Sequence, residues 1–337
     1  TYSRGIVAIP ASVARGSISR IMQMNSTPLD SNVEAVVCIP TSRRPAWLRQ
    51  TLESVLSQKT DFPFAIVVVD NDAANPAGHD VAKAMLETSG IASTLEIEPS
   101  QGNCYAINRA FSSALQHYPS ARWFLMIDDD EIAEAGWLQH MVATARRNDS
   151  DIVGGPVTRT FEEDVPPSIR NHAIFGSIEG ETRQVEMIHG SGNCLIARHV
   201  FERFGAPFFD LRFNFLGGGD MEFFTRCRLA GYKTWWCAEA IIHETVPSDR
   251  SNPKWLMQRS MRIGSINFVI DRLHMGAFAG VKVFAKNIVS LSLGVVRSLA
   301  ILLRTGEIIP ATHPLLMSIG RMAPLLGLTP SPYQAKA

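Results

Sequence analysis

The chain has 337 residues and a mass of 37.1 kDa, and 46% of it is hydrophobic, enough for the core of one large domain or two moderate ones and too much for a short disulfide-stapled module. Lys and Arg number 32 and Asp and Glu also 32, a balance that excludes a generic nucleic-acid binder and an acidic disordered chain. Charged residues make up 19%, below the roughly 25% of an ordinary soluble domain, so the uncharged stretches carry information.

In chain order, Gly5 to Ala14 is mildly apolar but short and interrupted by Pro10, which argues against a secretory signal; residues 1–32 read as a Ser-rich arm. The first strong strand signal is Ala35-Val36-Val37-Cys38-Ile39, closed by Pro40. A helix is predicted next, with Pro45 in its first turn and Leu48, Leu52, Val55 and Leu56 on one face. A second strand, Ala65 to Val69, runs into Asp70-Asn71-Asp72. This strand-helix-strand rhythm opens an α/β sheet, whose ligands bind beyond the carboxyl ends of the strands.

The rhythm continues with a helix from Ala106 to Leu115, after Gln101-Gly102-Asn103, and a strand Trp123 to Ile127 that ends in Asp128-Asp129-Asp130-Glu131. A helix from Ala135 to Arg146 follows. From Asp151 the texture is less regular, with the turn His189-Gly190-Ser191-Gly192-Asn193 before an apolar run and three glycines, 217–219, before a helix beginning near Asp220. A strand is predicted from Thr234 to Ile242, ending at His243-Glu244. With no polar linker at residue 150, this region reads as a smaller part of the same body. Five scattered cysteines without a C-x-x-C pair read as buried thiols in a reducing compartment.

Pro253 can open a helix carrying Leu256, Ile263 and Ile270, and residues 276–303 are almost wholly small or apolar. The longest uncharged run there, Asn287 to Val296, is ten residues, about half of what a spanning helix needs, so no crossing is expected. From Asp271 onward seven Lys or Arg face two acids, a local charge of +5. Basic charge on an apolar helix favours an anionic bilayer surface; a helical cap on the core or an oligomer contact is the plainer reading.

Clustered carboxylates at an exposed strand end repel one another unless a cation compensates them, and oxygen ligands suit Mg²⁺ or Mn²⁺ bridging to phosphates. Asp128, Asp129 and Asp130 are therefore metal and phosphate candidates, with a solvated acidic turn as the alternative. Asp70 and Asp72, at a second strand end, point to a nucleotide whose base or ribose a carboxylate could accept from. Asp220 follows three glycines at a helix start and fits either a helix cap or a general base. His243 lacks the second histidine of H-E-x-x-H, leaving a place in a metal shell, a phosphate contact or a structural role. Arg43 and Arg44, just past Pro40-Thr41-Ser42, and Arg250, Arg259 and Arg262 are phosphate-binding candidates. No Walker-type phosphate loop and no G-x-S-x-G elbow occurs, and Leu195 stands where a dinucleotide fingerprint needs its third glycine. Trp235-Trp236 fit core or acceptor-pocket lining better than base stacking.

These residues in this order resemble glycosyltransferase family 2, which has the GT-A fold: Ile39-Pro40-Thr41-Ser42-Arg43-Arg44-Pro45, Val69-Asp70-Asn71-Asp72, Gly102-Asn103 with Ala106 and Asn108, Ile127-Asp128-Asp129-Asp130, and Gly219-Asp220-Met221-Glu222-Phe223. The resemblance spans roughly residues 34–250. It implies an α/β, Rossmann-like mixed sheet flanked by helices, with a helical, basic and apolar C-terminal extension. It divides the chain into an arm (1–32), a nucleotide-sugar-binding half (33–150), an acceptor-binding and catalytic half (151–250) and a helical extension (251–337).

By that resemblance Asp70 and Asp72 hold the nucleotide with Pro40, Thr41, Arg44, Asn103, Asp128 and Asp129, and Asp128 and Asp130 form the D-x-D pair for diphosphate and metal, with His243 as a further metal candidate. Asp220 matches the catalytic base, although Gly219 replaces the Glu that often precedes it. Gln258-Arg259 with Arg262 loosely resembles the Gln-x-x-Arg-Trp element of polysaccharide synthases, but Ile263 replaces the Trp. A single-addition, inverting, Mn²⁺- or Mg²⁺-dependent transfer from a nucleotide-diphosphate sugar is the implied activity. The acceptor would be a glycan or lipid-linked hydroxyl in bacterial polysaccharide synthesis. The implied place is the cytoplasm, peripheral on the inner membrane, without nucleic-acid partners and with self-association through the C-terminal helices open. A metal-dependent nucleotidyltransferase and a noncatalytic membrane-associated scaffold are the alternatives.

Overall fold

A computed structural model describes residues 32–327; the N-terminal arm expected over residues 1–32 lies outside them except for Asn32. The first half alternates strands and helices, including a helix, a strand and a short strand the sequence reading did not name: β1 (Ala35–Thr41), α1 (Pro45–Leu56), β2 (Phe64–Asp70), α2 (Ala77–Leu86), β3 (Ala92–Ile97), α3 (Asn103–His117), β4 (Trp123–Met126), β5 (Glu131–Ala133) and α4 (Trp137–Asn148). Then follow β6 (Ile152–Gly154), β7 (Val157–Phe161), α5 (Pro167–Arg170), β8 (Arg183–Val185), β9 (Cys194–Ala197), α6 (Arg198–Phe204), α7 (Gly219–Leu229), β10 (Thr234–Trp236) and β11 (Ile242–Val246). The chain closes with α8 (Pro253–His274), α9 (Ala279–Thr305) and α10 (Ile308–Gly320).

Eight strands form one mixed sheet in the order β3-β2-β1-β4-β9-β6-β10-β8. β3, β2, β1 and β4 are mutually parallel, and β9 pairs antiparallel with both β4 and β6. The central strands β1 and β4 are covered on both faces, so all seven residues of β1 and all four of β4 are buried, which is why they read as unbroken apolar runs. The fold is thus the mixed α/β sheet with flanking helices that the sequence implied, and its apolar, basic extension is helical. A second sheet, β5-β11-β7, stands beside it.

The strand expected from Thr234 to Ile242 is instead two short strands in different sheets. β10 stops at Trp236 after pairing with β6 and β8, and the chain crosses to the small sheet before β11 begins. Asn193 holds that corner: its Nδ2 donates to Pro156 O (3.0 Å) and Ala240 O (2.8 Å), and its Oδ1 accepts from Trp137 Nε1 (2.8 Å). All five cysteines are free and buried.

The apolar tail expected to be too interrupted to cross a membrane forms one continuous helix, α9. Lys286 and Arg297 break the apolar run in the sequence but not the helix, which is 27 residues long and contains an 18-residue window of mean hydropathy 1.7. By length and composition it is long and apolar enough to cross, and only 6% of that window is buried.

Candidate functional site

The site grows from the carboxyl ends of β1, β2 and β4, which the parallel pairing brings side by side. The turn after β4 carries Asp128 to Glu131. Burial raises the pKa of Asp129, an effect opposed by the hydroxyl of Thr41, which donates to its Oδ2 at 2.7 Å, and by Arg44. Arg44 Nη1 lies 3.3 Å from Asp129 Oδ1 and 2.6 Å from Asp130 Oδ2. Thr51, on α1, holds the turn's backbone through its hydroxyl, 3.0 Å from Asp129 O and 2.7 Å from Glu131 O. The segment Pro40 to Arg44 and the acidic turn are therefore one unit, although 85 residues separate Arg44 from Asp129.

Glu131 turns back so that its Oε2 accepts the Asp128 backbone N–H at 2.8 Å. It is buried, and Gly192 makes the room: a Cβ there would lie 2.4 Å from Glu131 Oε1. In the small sheet Glu131, Glu244 and Arg159 stand in register across β5, β11 and β7, and Arg159 Nε donates to Glu244 Oε2 at 2.8 Å. Burial, then the charges of Asp130, Asp129, Glu244 and Asp220, hold the Asp128 carboxyl well above the usual carboxylate range. Burial and Asp128 do the same to Glu131. Arg44 and Arg159 are hydrogen-bonded to members of this group of six carboxylates, which crowd at one strand edge.

Asp220 sits in the first turn of α7, a position the chain reaches through Gly217 and Gly218, both with left-handed backbone (φ 82° and 85°). Gly219, where the family often has Glu, has a steric reason here: a Cβ would meet Cys104 Sγ at 2.9 Å and Phe209 Cδ2 at 3.2 Å. Two residues on, buried Glu222 is bracketed by Arg226 Nε (2.8 Å) and His274 Nε2 (3.0 Å), which fastens α7 to α8.

At the end of β2, Asp70 is fully buried; its oxygens accept from the backbone N–H of Asp72 (3.0 Å) and of His79 (3.0 Å) at the start of α2. Asp72 is paired with Arg43 Nε at 2.9 Å, so Asp70 shapes the turn and Asp72 stands at its edge. Asn103 is exposed in the first turn of α3. His243 is not brought to the acidic turn: it lies on the strand face opposite Glu244, and its Nε2 meets Glu134 Oε1 at 2.7 Å.

Several residues have positioning roles that the sequence did not reveal. Asn71 donates to Glu98 O and Ser100 O (2.8 Å each) and accepts from Gly102 N–H (2.8 Å). Asn214 accepts from Cys104 N–H at 3.1 Å and donates to Gln101 O at 2.9 Å, capping α3 from the far half of the chain. An isolated asparagine has no periodicity to reveal such a role.

Among the described residues no group of three or more His, Cys, Asp or Glu is disposed to hold a metal ion by itself. The donor chemistry at Asp128 and Asp130 nevertheless fits one, because Mg²⁺-type ions commonly take one or two carboxylates and complete their shell with water and substrate phosphate. The crowding of buried carboxylates beside them is what a cation would relieve.

A sequence profile described as Glycosyl transferase family 2 matches residues 36–205. The succinoglycan biosynthesis protein ExoM of Rhizobium meliloti (strain 1021) is 28% identical over 236 residues, covering 69% of this chain and 73% of that protein. Among solved structures, the mannosyltransferase PcManGT from Pyrobaculum calidifontis in complex with GDP-Man and Mn²⁺ superposes with a TM-score of 0.55 and 17% identity over 92% of this chain and 93% of that one. S. aureus TarS 1–349 in complex with UDP gives 0.50 and 15% over 88% and 92%; at these identities both similarities concern the fold.

Proposed function

This chain belongs to glycosyl transferase family 2 and has that family's nucleotide-sugar transferase activity, and we propose that it adds a single sugar by inverting direct displacement. The observation that carries the reading is the D-x-D turn at the sheet edge, tied to Thr41 and Arg44, together with Asp220 in the first turn of α7, reached through Gly217 and Gly218; the charge of Asp220 also bears on Asp128. A single general base on one side and a diphosphate-holding turn on the other are what a one-step displacement needs.

In this reading Asp72, Asn103, Pro40, Thr41 and Arg44 receive the nucleotide, with Asp70 fixing the turn that presents Asp72. Asp128 and Asp130 would hold Mn²⁺ or Mg²⁺, which when bound offsets the charge of the departing diphosphate. Arg44, already on Asp129 and Asp130, lies where a guanidinium could contact phosphate oxygens. Asp220 takes the proton of the acceptor hydroxyl. That oxygen bonds to the anomeric carbon from the face opposite the diphosphate, the carbon–oxygen bond to diphosphate breaks, and its electron pair leaves with the phosphate oxygen. The configuration inverts, and the proton ends on Asp220. A glycan or lipid-linked acceptor in bacterial polysaccharide synthesis is supported by the ExoM likeness, and a peripheral position on the cytoplasmic face of the inner membrane by the exposed apolar α9.

Calorimetric titration with UDP-, GDP- and dTDP-sugars, with and without Mn²⁺ or Mg²⁺, tests this. One nucleotide class should bind metal-dependently, Asp130→Ala should lose that dependence, and Asp220→Asn should keep donor binding while turnover falls about 10²- to 10⁴-fold. Pyrophosphate release from a nucleoside triphosphate would establish a nucleotidyltransferase instead, and binding of no nucleotide by folded protein would leave the scaffold reading.

A further inference from the structure

The geometry points to α9 as an in-plane anchor that lies on an anionic bilayer with its axis parallel to the surface and does not cross it. This rests on the peripheral-membrane reading above for its occupant and is independent of the transfer chemistry. At 100° per residue the helix divides into three arcs. Val283, Asn287 and Gly294 are buried on the protein side. The exposed apolar residues run from Phe284 and Leu302 through Val281 and Leu299 to Leu303, Val296 and Val289, an arc of about 140°, with Leu293 just beyond it. Lys282, Lys286, Arg297 and Arg304 fall on a third stripe, within about 60°, that borders the apolar arc along the helix. All four are exposed. An apolar arc flanked lengthwise by cations is the pattern of a helix lying at the interface, its apolar side in the acyl boundary and its cations at the headgroups.

The packing of α9 opposes a crossing. Lys286 and Arg297 are ~16 Å apart along the axis, so a spanning helix would place at least one of them inside the ~30 Å hydrocarbon layer. From the exposed stripe Lys286 Nζ reaches Asp271 Oδ1 at 2.7 Å, and on the packed side Arg321 binds Asp271 Oδ2 at 2.6 Å and Asn287 Oδ1 at 2.9 Å. This charged network ties α9 to α8 and to the end of α10, and it would have to be broken or carried into lipid. The basic stripe selects an anionic bilayer over a second copy of the chain, because two copies facing each other would set like charges side by side.

The test adds purified full-length chain, without sugar nucleotide, to preformed vesicles of phosphatidylcholine or of phosphatidylcholine with phosphatidylglycerol, and reads binding by co-sedimentation. Wild type should bind the anionic vesicles more tightly and lose affinity with salt. Arg297→Gln/Arg304→Gln should weaken that binding roughly twenty-five-fold, at about five-fold per cation, and Phe284→Ser/Leu299→Ser should weaken it on both vesicle types. Donor calorimetry and circular dichroism on the same samples separate loss of membrane binding from loss of fold or of the transferase reading. Because the native cysteines are buried, Lys282→Cys and Arg304→Cys can each be probed with an impermeant maleimide. Labelling of both ends from outside supports the in-plane helix; protection of one end until detergent is added would mean a crossing. Equal binding to both vesicle types, or no vesicle binding together with a concentration-dependent dimer, would equally overturn the proposal.

Discussion

Gly219→Ala isolates the role of close packing beneath the proposed base. The added methyl would lie 2.9 Å from Cys104 Sγ and 3.2 Å from Phe209 Cδ2, against the 3.5–4.0 Å at which carbon contacts ordinarily settle. An overlap of roughly 0.6–1 Å must be relieved. Phe209 resists: its backbone is held both ways by Asn108 at 2.8 Å, and its ring stacks on Phe223 with centroids 5.3 Å apart. The first turn of α7 therefore moves, carrying Asp220 with it. Overpacking of this kind costs about 1–3 kcal/mol, partly offset by about 1 kcal/mol of helix propensity gained by Ala over Gly. Net destabilisation of up to about 2 kcal/mol is expected in thermal or urea unfolding. Since a displacement of about 1 Å at a reacting group can cost about 100-fold, release of nucleoside diphosphate should fall roughly 10- to 100-fold with donor affinity preserved. Adding Cys104→Ala removes the 2.9 Å contact and leaves the 3.2 Å one, so it should restore part of both losses. Wild-type turnover in Gly219→Ala, or no recovery in the double variant despite recovered stability, would refute the reasoning.

Three further outcomes follow from the electrostatics. Asp128 has its folded pKa raised above the unfolded one, so its burden is present at neutral pH and is relieved as pH falls through the folded value. Asp128→Asn should thus raise the melting temperature at pH 7.5 by roughly 2–4 °C, for about 1 kcal/mol, with the gain shrinking in acid; no gain at neutral pH would contradict the carboxylate crowding. His172 is buried and pushed down to about 4 by burial and by His313, so the unfolded chain binds its proton first and stability is lost as pH falls from about 6.5 toward 4. That loss is on the order of 3 kcal/mol, and His172→Phe should flatten this part of a urea-unfolding pH profile. Glu222→Ala leaves Arg226 and His274 without their shared buried carboxylate and should destabilise the chain by about 3 kcal/mol in the same assay.

Some of this protein was determined locally and was legible in the sequence. The apolar runs at β1, β2 and β4 announce strands buried on both faces, and the acidic ends at Asp70 to Asp72 and Asp128 to Glu131 mark the sheet edge, because a strand's burial is written in its own residues. Helix bounds were less legible: α3 begins at Asn103, three residues before its apolar pattern does. What each group touches was settled only by tertiary structure. Strand register set Glu244 beside Glu131 and turned His243 away to Glu134. The sheet order put Thr41 and Arg44 on Asp129 and Asp130. Two distant asparagines, Asn193 and Asn214, secured the corner and the start of α3. The reach of α9 through Lys286 and Arg297 likewise escaped a reading of uncharged runs, because a solvent- or headgroup-facing cation interrupts hydropathy without interrupting the backbone hydrogen bonds. Local patterns report burial, whereas partners more than 80 residues apart depend on a register and packing that no short window contains.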